Sequence, residues 1–546
     1  PPPKPTMVNS DSRVRTVGST ASLHRRHPRG RLANRRDAAL ATAIAACLHG
    51  TTTAQIQFAE LPGGGLPTTP LVTRSLAVGD VDGDGYLDLV LTWSLLRNDG
   101  TGTFSDITAS HLPPAPSASG NMVALALGDM DGDGDLDLVV GVWGQDRLYV
   151  NDGHGVFTDV TATNLPADTD VTRSIALGDV DGDGDLDIVC GNDRPSPPFG
   201  AQNRILVNNG VHSGVFTDAT ASLLPAVIDS THAVALRDID GDGDPDMVVG
   251  NFGQNRLYRN EGPTNPGVFT DVTVTQMPIN NDSTTSVAIG DIDGDGYLDI
   301  IVGTGGYWTY QQNRLYLNNG VGGFTDVTAS AFPFLPDNTS SLALGDVDED
   351  GDLDLVVGNG FYYQGGQNRL LLNNGSAVFV DATAARLPLA IDNTLAIALA
   401  DCDSDGDLDL VAGNGQVCGP WTCSGTSRLL RNLRRQLHAP QPPQIGQPWN
   451  LDAYVRYGPP ASDLALAFLS TTRLSVPLPP YGVLGINPMA PMPLFVIPPT
   501  TGLATATWNV PNLPTAVGLT IHAQSMFFTP VSLDRLSNVV TVVVQP

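Results

Sequence analysis

The chain is 546 residues long and carries 57 acidic against 28 basic side chains, a formal net charge of −29. A surface this acidic repels phosphate backbones and anionic headgroups, which excludes nucleic acid and anionic lipid as partners. The one lysine, Lys4, stands near the start, so the rest of the chain has no amine for Schiff-base chemistry.

Residues 1–54 read as an export leader. Arginines crowd the stretch from Arg25 to Arg36, an eleven-residue apolar run follows from Ala38 to Leu48, and the small residues Thr52 and Ala54 precede Gln55 at a cleavage point. Eleven residues are too few to span a bilayer, so no transmembrane segment is expected in the mature chain. Two variants of the signal remain open. Ile44-Ala45-Ala46-Cys47 resembles a lipoprotein box that would anchor the chain through Cys47, and Arg35-Arg36 resembles a twin-arginine signal.

After an isolated strand-like segment, IQFAELP (Ile56 to Pro62), the chain writes one acidic loop seven times, Asp-x-Asp-x-Asp-Gly-x-x-Asp. Its four aspartates are Asp80, Asp82, Asp84 and Asp88; Asp129, Asp131, Asp133 and Asp137; Asp179, Asp181, Asp183 and Asp187; and Asp238, Asp240, Asp242 and Asp246. The last three sets are Asp291, Asp293, Asp295 and Asp299; Asp346, Asp348, Asp350 and Asp354; and Asp401, Asp403, Asp405 and Asp409. Four carboxylates at positions one, three, five and nine repel one another unless a cation sits between them. Hard oxygen donors at this spacing suit Ca²⁺, up to seven ions, whereas a transition metal calls for His or Cys. A glycine at position six, Gly85 in the first copy, lets the backbone turn so that the carbonyl of Tyr86 can join them. An EF-hand is excluded because position twelve is Leu91 in the first copy and Val140 in the second, where that motif needs a bidentate Glu.

Successive loops start 49, 50, 59, 53, 55 and 55 residues apart, the length of one four-stranded propeller blade. An apolar strand such as SIALGD enters each loop and a second, LDLVV, leaves it. A third (NRLYLNNG, Asn313 to Gly320) and a fourth (GFTDVTA, Gly323 to Ala329) follow, turned by Asn-Gly. The seventh repeat stops after Arg428 to Leu433 with no fourth strand behind it. The segment from Ile56 to Pro62 is therefore expected to complete the last blade and close the ring.

These repeats resemble the FG-GAP or VCBS family, the blade type of the integrin α-subunit propeller, over residues 55–435. The resemblance implies an all-β, seven-bladed β-propeller with calcium-binding loops, whose carboxylate ligands fall on the four aspartates of each loop. It also implies extracellular binding or adhesion, although the same repeats occur as accessory modules and in some polysaccharide lyases. The sixth loop, with Glu349, and the seventh, with Cys402 and Ser404, depart from the pattern but keep the ligand positions. Composition agrees with calcium loading. Asp outnumbers Glu 54 to three, and the formal charge from residue 55 onward is −36 once the net +7 of residues 1–54 is set aside.

Up-and-down alternation puts the calcium loops on one face and the variable loops between strands two and three on the other. Those loops carry Trp93, Trp143, Phe199, Phe252, then Tyr307, Trp308 and Tyr310, then Phe361, Tyr362 and Tyr363, and finally Trp421. Exposed aromatics offer flat apolar faces suited to sugar or protein recognition, and the clusters in blades five and six are the expected site; the alternative is that they wedge between blades as core. The same face repeats Asp-x-Thr before strand one (Asp170, Asp229, Asp282, Asp337, Asp392) and an Arg at strand three (Arg147, Arg204, Arg256, Arg314, Arg369, Arg428). Repetition in nearly every blade favours structural pairing over catalysis.

Cys418 and Cys423 share a loop and form either a local disulfide or two free thiols. Residues 436–450 are a Pro-rich linker, and 451–546 alternate apolar and polar residues as in a small β-sandwich-like domain. No His-Glu-x-x-His, Gly-x-Ser-x-Gly or phosphate-cradling loop is present. The expected function is a secreted or surface calcium-binding propeller for adhesion or for a carbohydrate or glycoprotein ligand, without enzyme activity. The alternatives are a polysaccharide lyase and a purely structural surface protein.

Overall fold

The computed structural model describes residues 57–433, apart from 61–64, 68–72, 116–121, 195–198, 211–212, 263–264, 307–309, 362–363, 416, 419–422 and 425, and beyond residue 436 it describes strands alone. The protein is all-β, built from four-stranded antiparallel sheets in sequence order. In the second sheet Met122–Gly128 pairs with Asp137–Val142, which pairs with Arg147–Asn151, which pairs with Phe157–Asp159. The same meander recurs from Leu76–Gly79 in the first sheet to Thr394–Ala400 in the last. Each acidic loop joins strands one and two, and the second strand runs through the core: Asp187–Asn192, for example, is buried throughout.

The sheets pack face to face as propeller blades. Hydrophobic clusters join each blade to the next: Val90 and Leu95 of the first meet Val140 and Tyr149 of the second, and so on round the molecule. A further cluster brings Leu89, Leu96 and Phe104 of the first blade against Cys402, Val411 and Leu429 of the last, so the array closes on itself. Closure needs the N-terminal segment. Phe58–Ala59 pairs antiparallel with Arg428–Asn432, Phe58 opposite Asn432, and supplies the fourth strand that the last repeat lacks. Phe58 is fully buried there.

One regular element escapes the period-2 reading. After each complete fourth strand in the first six blades comes a single helical turn, from Thr108–His111 to Thr383–Arg386. Its first residue is a Thr whose N–H donates to the Asp two residues earlier, as Thr161 does to Asp159 at 3.0 Å. The Thr hydroxyl then accepts the N–H of Leu148 in the third strand at 3.1 Å, so Asp-x-Thr locks the turn onto its own sheet.

Toward the C-terminus, Pro448–Tyr454 pairs with Leu503–Asn509, and Leu464–Ser470 pairs with Phe495–Ile497 and Thr520–Phe528, all antiparallel. Strands Leu437–His438 and Pro448–Tyr454 themselves pair inside and across the end of the stretch 436–450 expected as a linker. Residues 1–56, which include the expected leader and Cys47, lie outside the described residues.

Candidate functional site

The acidic loops are held from three sides. The first aspartate accepts the N–H of the sixth residue, Asp80 from Gly85 at 2.9 Å and likewise in every loop to Asp401 from Gly406 at 2.9 Å. That glycine lies at positive φ, 88° at Gly85 and 97° at Gly134. The fourth position also takes positive φ, and in loops six and seven it is filled by Glu349 and Ser404, residues that adopt this backbone less readily.

The ninth aspartate is the hub. Asp137 is buried; one oxygen accepts the N–H of Met130 at 2.9 Å and the other the N–H of Asn151 at 2.8 Å. The side chain of that Asn reaches across to the preceding blade and donates to the carbonyl of Val81 at 2.8 Å. The pattern recurs at Asn98, Asn208, Asn260, Asn318, Asn373 and Asn432, with interblade distances of 2.7 to 3.0 Å. Each loop therefore serves its own blade and the next. At Gly214 a Cβ would come within 2.9 Å of Asp131, so the neighbouring hairpin also roofs the loop closely.

Oxygens from positions one, three and nine converge within 4.8 Å in the first four loops (Asp80, Asp82 and Asp88 in the first), and Asp291, Asp293 and Asp295 converge in the fifth. Asp133 turns one oxygen to the N–H of Asp135, and Asp84 does the same with Tyr86. Burial pushes the ninth carboxylate up, to about 6 in Asp88 and Asp299 and about 7 in Asp137, Asp187, Asp246 and Asp354, against the backbone N–H bonds that lower it. Burial and the neighbouring carboxylates raise Asp131 and Asp181 as well.

The donor set fits a hard cation. It is all carboxylate, and one buried oxygen each of Asp131, Asp181 and Asp348 has no hydrogen-bond partner among the described residues. Position three also distinguishes the loops. Arginines face Asp82 (Arg97), Asp240 (Arg259), Asp348 (Arg386) and Asp403 (Arg431).

On the opposite face the recurring Arg–Asp pairs hold the loops. Arg314 meets Asp282 at 2.6 and 2.9 Å and Asp326 at 3.3 Å, tying strand three to the segment before strand one and to strand four of its own blade. Arg256 does the same with Asp229 and Asp271, and Arg369 with Asp337 and Asp381. Sequence reasoning missed the Gln-Asn that precedes these arginines. Gln254 donates to the carbonyl of Pro278 and accepts the N–H of Asn280, while Asn255 accepts the N–H of Asn251 and the hydroxyl of Thr284 in the next blade. The signal was the repeated Gln-Asn-Arg triplet itself.

The aromatics divide. Trp93 packs against the core between blades one and two. Trp143, Phe199, Phe252 and Tyr310 are exposed. Tyr307, Trp308, Tyr362, Tyr363, Trp421 and the side chain of Phe361 lie outside the described residues.

The FG-GAP-like repeat family matches residues 92–140, 129–190, 238–302 and 305–357, and the FG-GAP repeat family matches residues 72–101. No curated protein matches the chain significantly. Among solved structures, the chain is similar to an Agrocybe aegerita lectin described as recognising non-reducing terminal N-acetylglucosamine, at 19% identity, over 58% of this chain and 82% of that one, with a TM-score of 0.37. It is similar to a putative phosphatase from Bacteroides thetaiotaomicron at 12% identity, over 57% and 71% of the two chains, with a TM-score of 0.35. For the Photorhabdus luminescens Tc holotoxin pore the values are 13%, 82% and 22%, with a TM-score of 0.31. Likeness at these scores carries no argument about function.

Proposed function

Given that the chain is an FG-GAP repeat protein, we propose that it is an exported, calcium-stabilised propeller that binds a carbohydrate or a surface glycoprotein and catalyses no reaction. The observation that carries the calcium reading is the convergence of carboxylate oxygens within 4.8 Å in successive loops. Positions one, three and nine in the first four loops, and one, three and five in the fifth, would hold the ion, which when bound neutralises their mutual repulsion. Calcium acts on stability, since its loops lie opposite the exposed aromatics.

Ligand binding belongs to that opposite face, where Trp143, Phe199, Phe252 and Tyr310 stand exposed on a ring whose repeated charges are already paired. The occupied Arg–Asp pairs favour binding over catalysis. No helix among the described residues is long and apolar enough to cross a membrane.

A glycan array probed with the full chain, in millimolar Ca²⁺ and again in EDTA, tests the reading. Selective retention of a glycan supports it, and silence in both conditions removes the carbohydrate.

A further inference from the structure

The repeats agree so closely that a place where they disagree is informative. Six residues after the ninth aspartate, blades five, six and seven carry Gly305, Gly360 and Gly415. A Cβ there would come within 2.5 Å of the Thr339 carbonyl oxygen at Gly305 and 2.6 Å of the Thr394 nitrogen at Gly360. At the same offset blades two, three and four carry Trp143, Asp193 and Phe252. The backbone register is unchanged: Asp193, Phe252, Gly305, Gly360 and Gly415 each donate N–H to the carbonyl of the residue directly before the recurring Thr of their own first strand (Val171, Ser230, Ser283, Asn338 and Asn393). The fold therefore does not require these side chains.

A second position changes with the first. Directly after the Thr of strand one, blades five and six have Thr285 and Ser340, whose hydroxyls bond to carbonyls of their own and the next blade. Blades three and four have Arg173 and His232 instead.

The substituted residues form one continuous line across three blades. The Arg173 guanidinium lies 5.5 Å over the Trp143 ring. It meets Asp193 at 3.3 Å. His232 stands 3.9 Å from the same carboxylate and stacks on Phe252 at 3.9 Å with the planes 10° apart. Ser230 donates to the other oxygen of Asp193 at 2.8 Å. Each aromatic ring thus has one face backed and its orientation fixed, while Trp143 remains 41% and Phe252 38% exposed.

We infer that Trp143, Arg173, Asp193, His232 and Phe252 form a binding site for a neutral oligosaccharide on the face opposite the calcium loops. This rests on the carbohydrate reading and places its site in blades two to four, away from the aromatic clusters of blades five and six. Two fixed rings separated by polar groups match a glycan, whose C–H faces stack on aromatics while its hydroxyls bond between them. Holding the rings in advance lowers the ordering cost of binding. The Nε of Arg173 is buried and has no hydrogen-bond partner among the described residues.

Neutrality follows from the charges. Arg173 is balanced by Asp193, and burial with the adjacent guanidinium pushes His232 down to about 4, leaving it uncharged at neutral pH. A uronate would find no net positive charge in the site and would approach a strongly acidic chain.

The test is an array of neutral oligosaccharides (cello-, xylo-, manno- and N-acetylglucosamine oligomers) beside oligogalacturonates and alginate fragments, probed in calcium with the full chain. Its variants are Trp143→Gly and Phe252→Gly, which install the residue of the later blades, and the isosteric Asp193→Asn. A neutral glycan should bind and lose more than about tenfold in affinity in each glycine variant with the melting temperature kept. Should either glycine variant unfold, Asp193→Asn supplies the same comparison. Undiminished binding in these variants, with loss in a Trp308→Ala, Tyr362→Ala, Tyr363→Ala chain, would overturn this site while leaving the carbohydrate reading intact. Retention of uronates alone would overturn the ligand chemistry. Binding of no glycan at all would sink both.

Discussion

The side-chain amide of Asn98 donates to the backbone carbonyl of Cys402 at 2.8 Å, across 304 residues of sequence. It is the same interblade bond that links every other neighbouring pair, here joining the first blade to the last. Asn98→Ala leaves that carbonyl unpaired, and also the N–H groups of Gly100 and Gly102 that the Asn oxygen accepts. A loss of about 2 kcal/mol is expected in denaturant unfolding, and Asn98→Asp should cost more because it adds a charge beside buried Asp88 and cannot donate. An unchanged midpoint would mean the ring is held without this bond.

Removing Phe58 from the last blade should be costlier. It is fully buried between blades six and seven, so Phe58→Ala is expected to lose ~3 to 5 kcal/mol. Chemical denaturation in calcium measures this; a loss below about 1 kcal/mol would show the blade stands without its N-terminal strand.

Calcium and pH should act in opposite senses. In EDTA the ninth carboxylates have folded-state values of about 6 to 7 against roughly 4 when unfolded, so the folded state holds the extra protons. That stabilisation is complete below about pH 4 and is lost as pH rises to about 7. The melting temperature of the calcium-free chain should therefore fall between pH 5 and pH 7.5, roughly the window of these shifts, while saturating Ca²⁺ reverses the slope. Identical melting curves with and without the ion would remove calcium from the account.

Positions three and nine should respond differently to substitution. Asp131→Ala removes a carboxylate with an unpartnered oxygen and should abolish the calcium-induced gain of its loop while leaving the EDTA melting temperature equal or higher. Asp137→Ala removes the acceptor of two backbone N–H groups and should lower stability even in EDTA by about 2 kcal/mol or more. Calorimetry of both variants in both conditions checks the assignment, and matching responses would contradict it.

Asp146 stands where blades three to six have the Asn of Gln-Asn-Arg. It accepts from Val142, Thr172 and Cys190, and burial together with nearby Asp168 pushes it up to about 7. Asp146→Asn should be near neutral at pH 5 and stabilising, on the order of 1 to 2 kcal/mol, at pH 8, where the native carboxylate must ionise while buried. Thermal melts at the two pH values decide it; no difference between them would mean the site is solvated.

Much of this was legible in the sequence because repetition made it so. Strand order, the acidic loops and the borrowed strand at Phe58 all follow from one pattern written seven times. The helical turns were hidden because a four-residue element has no period to detect, and Asp-x-Thr reads equally as strand and as cap. The ninth aspartate looked like one ligand among four; its second role depends on an Asn at the end of strand three, 10 to 23 residues on, whose side chain in turn bonds to the preceding blade. Trp93 and Trp143 are indistinguishable by residue type, and only packing separates the core ring from the exposed one. The Trp143 to Phe252 line was invisible for a different reason: each member is ordinary alone, and only the register of adjacent blades brings them together.

The pairing of the N-terminal strand with the last blade also sets an order of events in time. Gln57 and Asn432 are bonded although 375 residues apart, so the strand at Phe58 must wait unpaired until the seventh blade has been synthesised. Interblade contacts between neighbours can form as the chain lengthens, but the final seam can form only once, last, and against the largest loop entropy in the molecule. That seam is then the slow step of folding, and the exposed edge that precedes it is the stage at which the chain is most open to pairing with a second copy of itself.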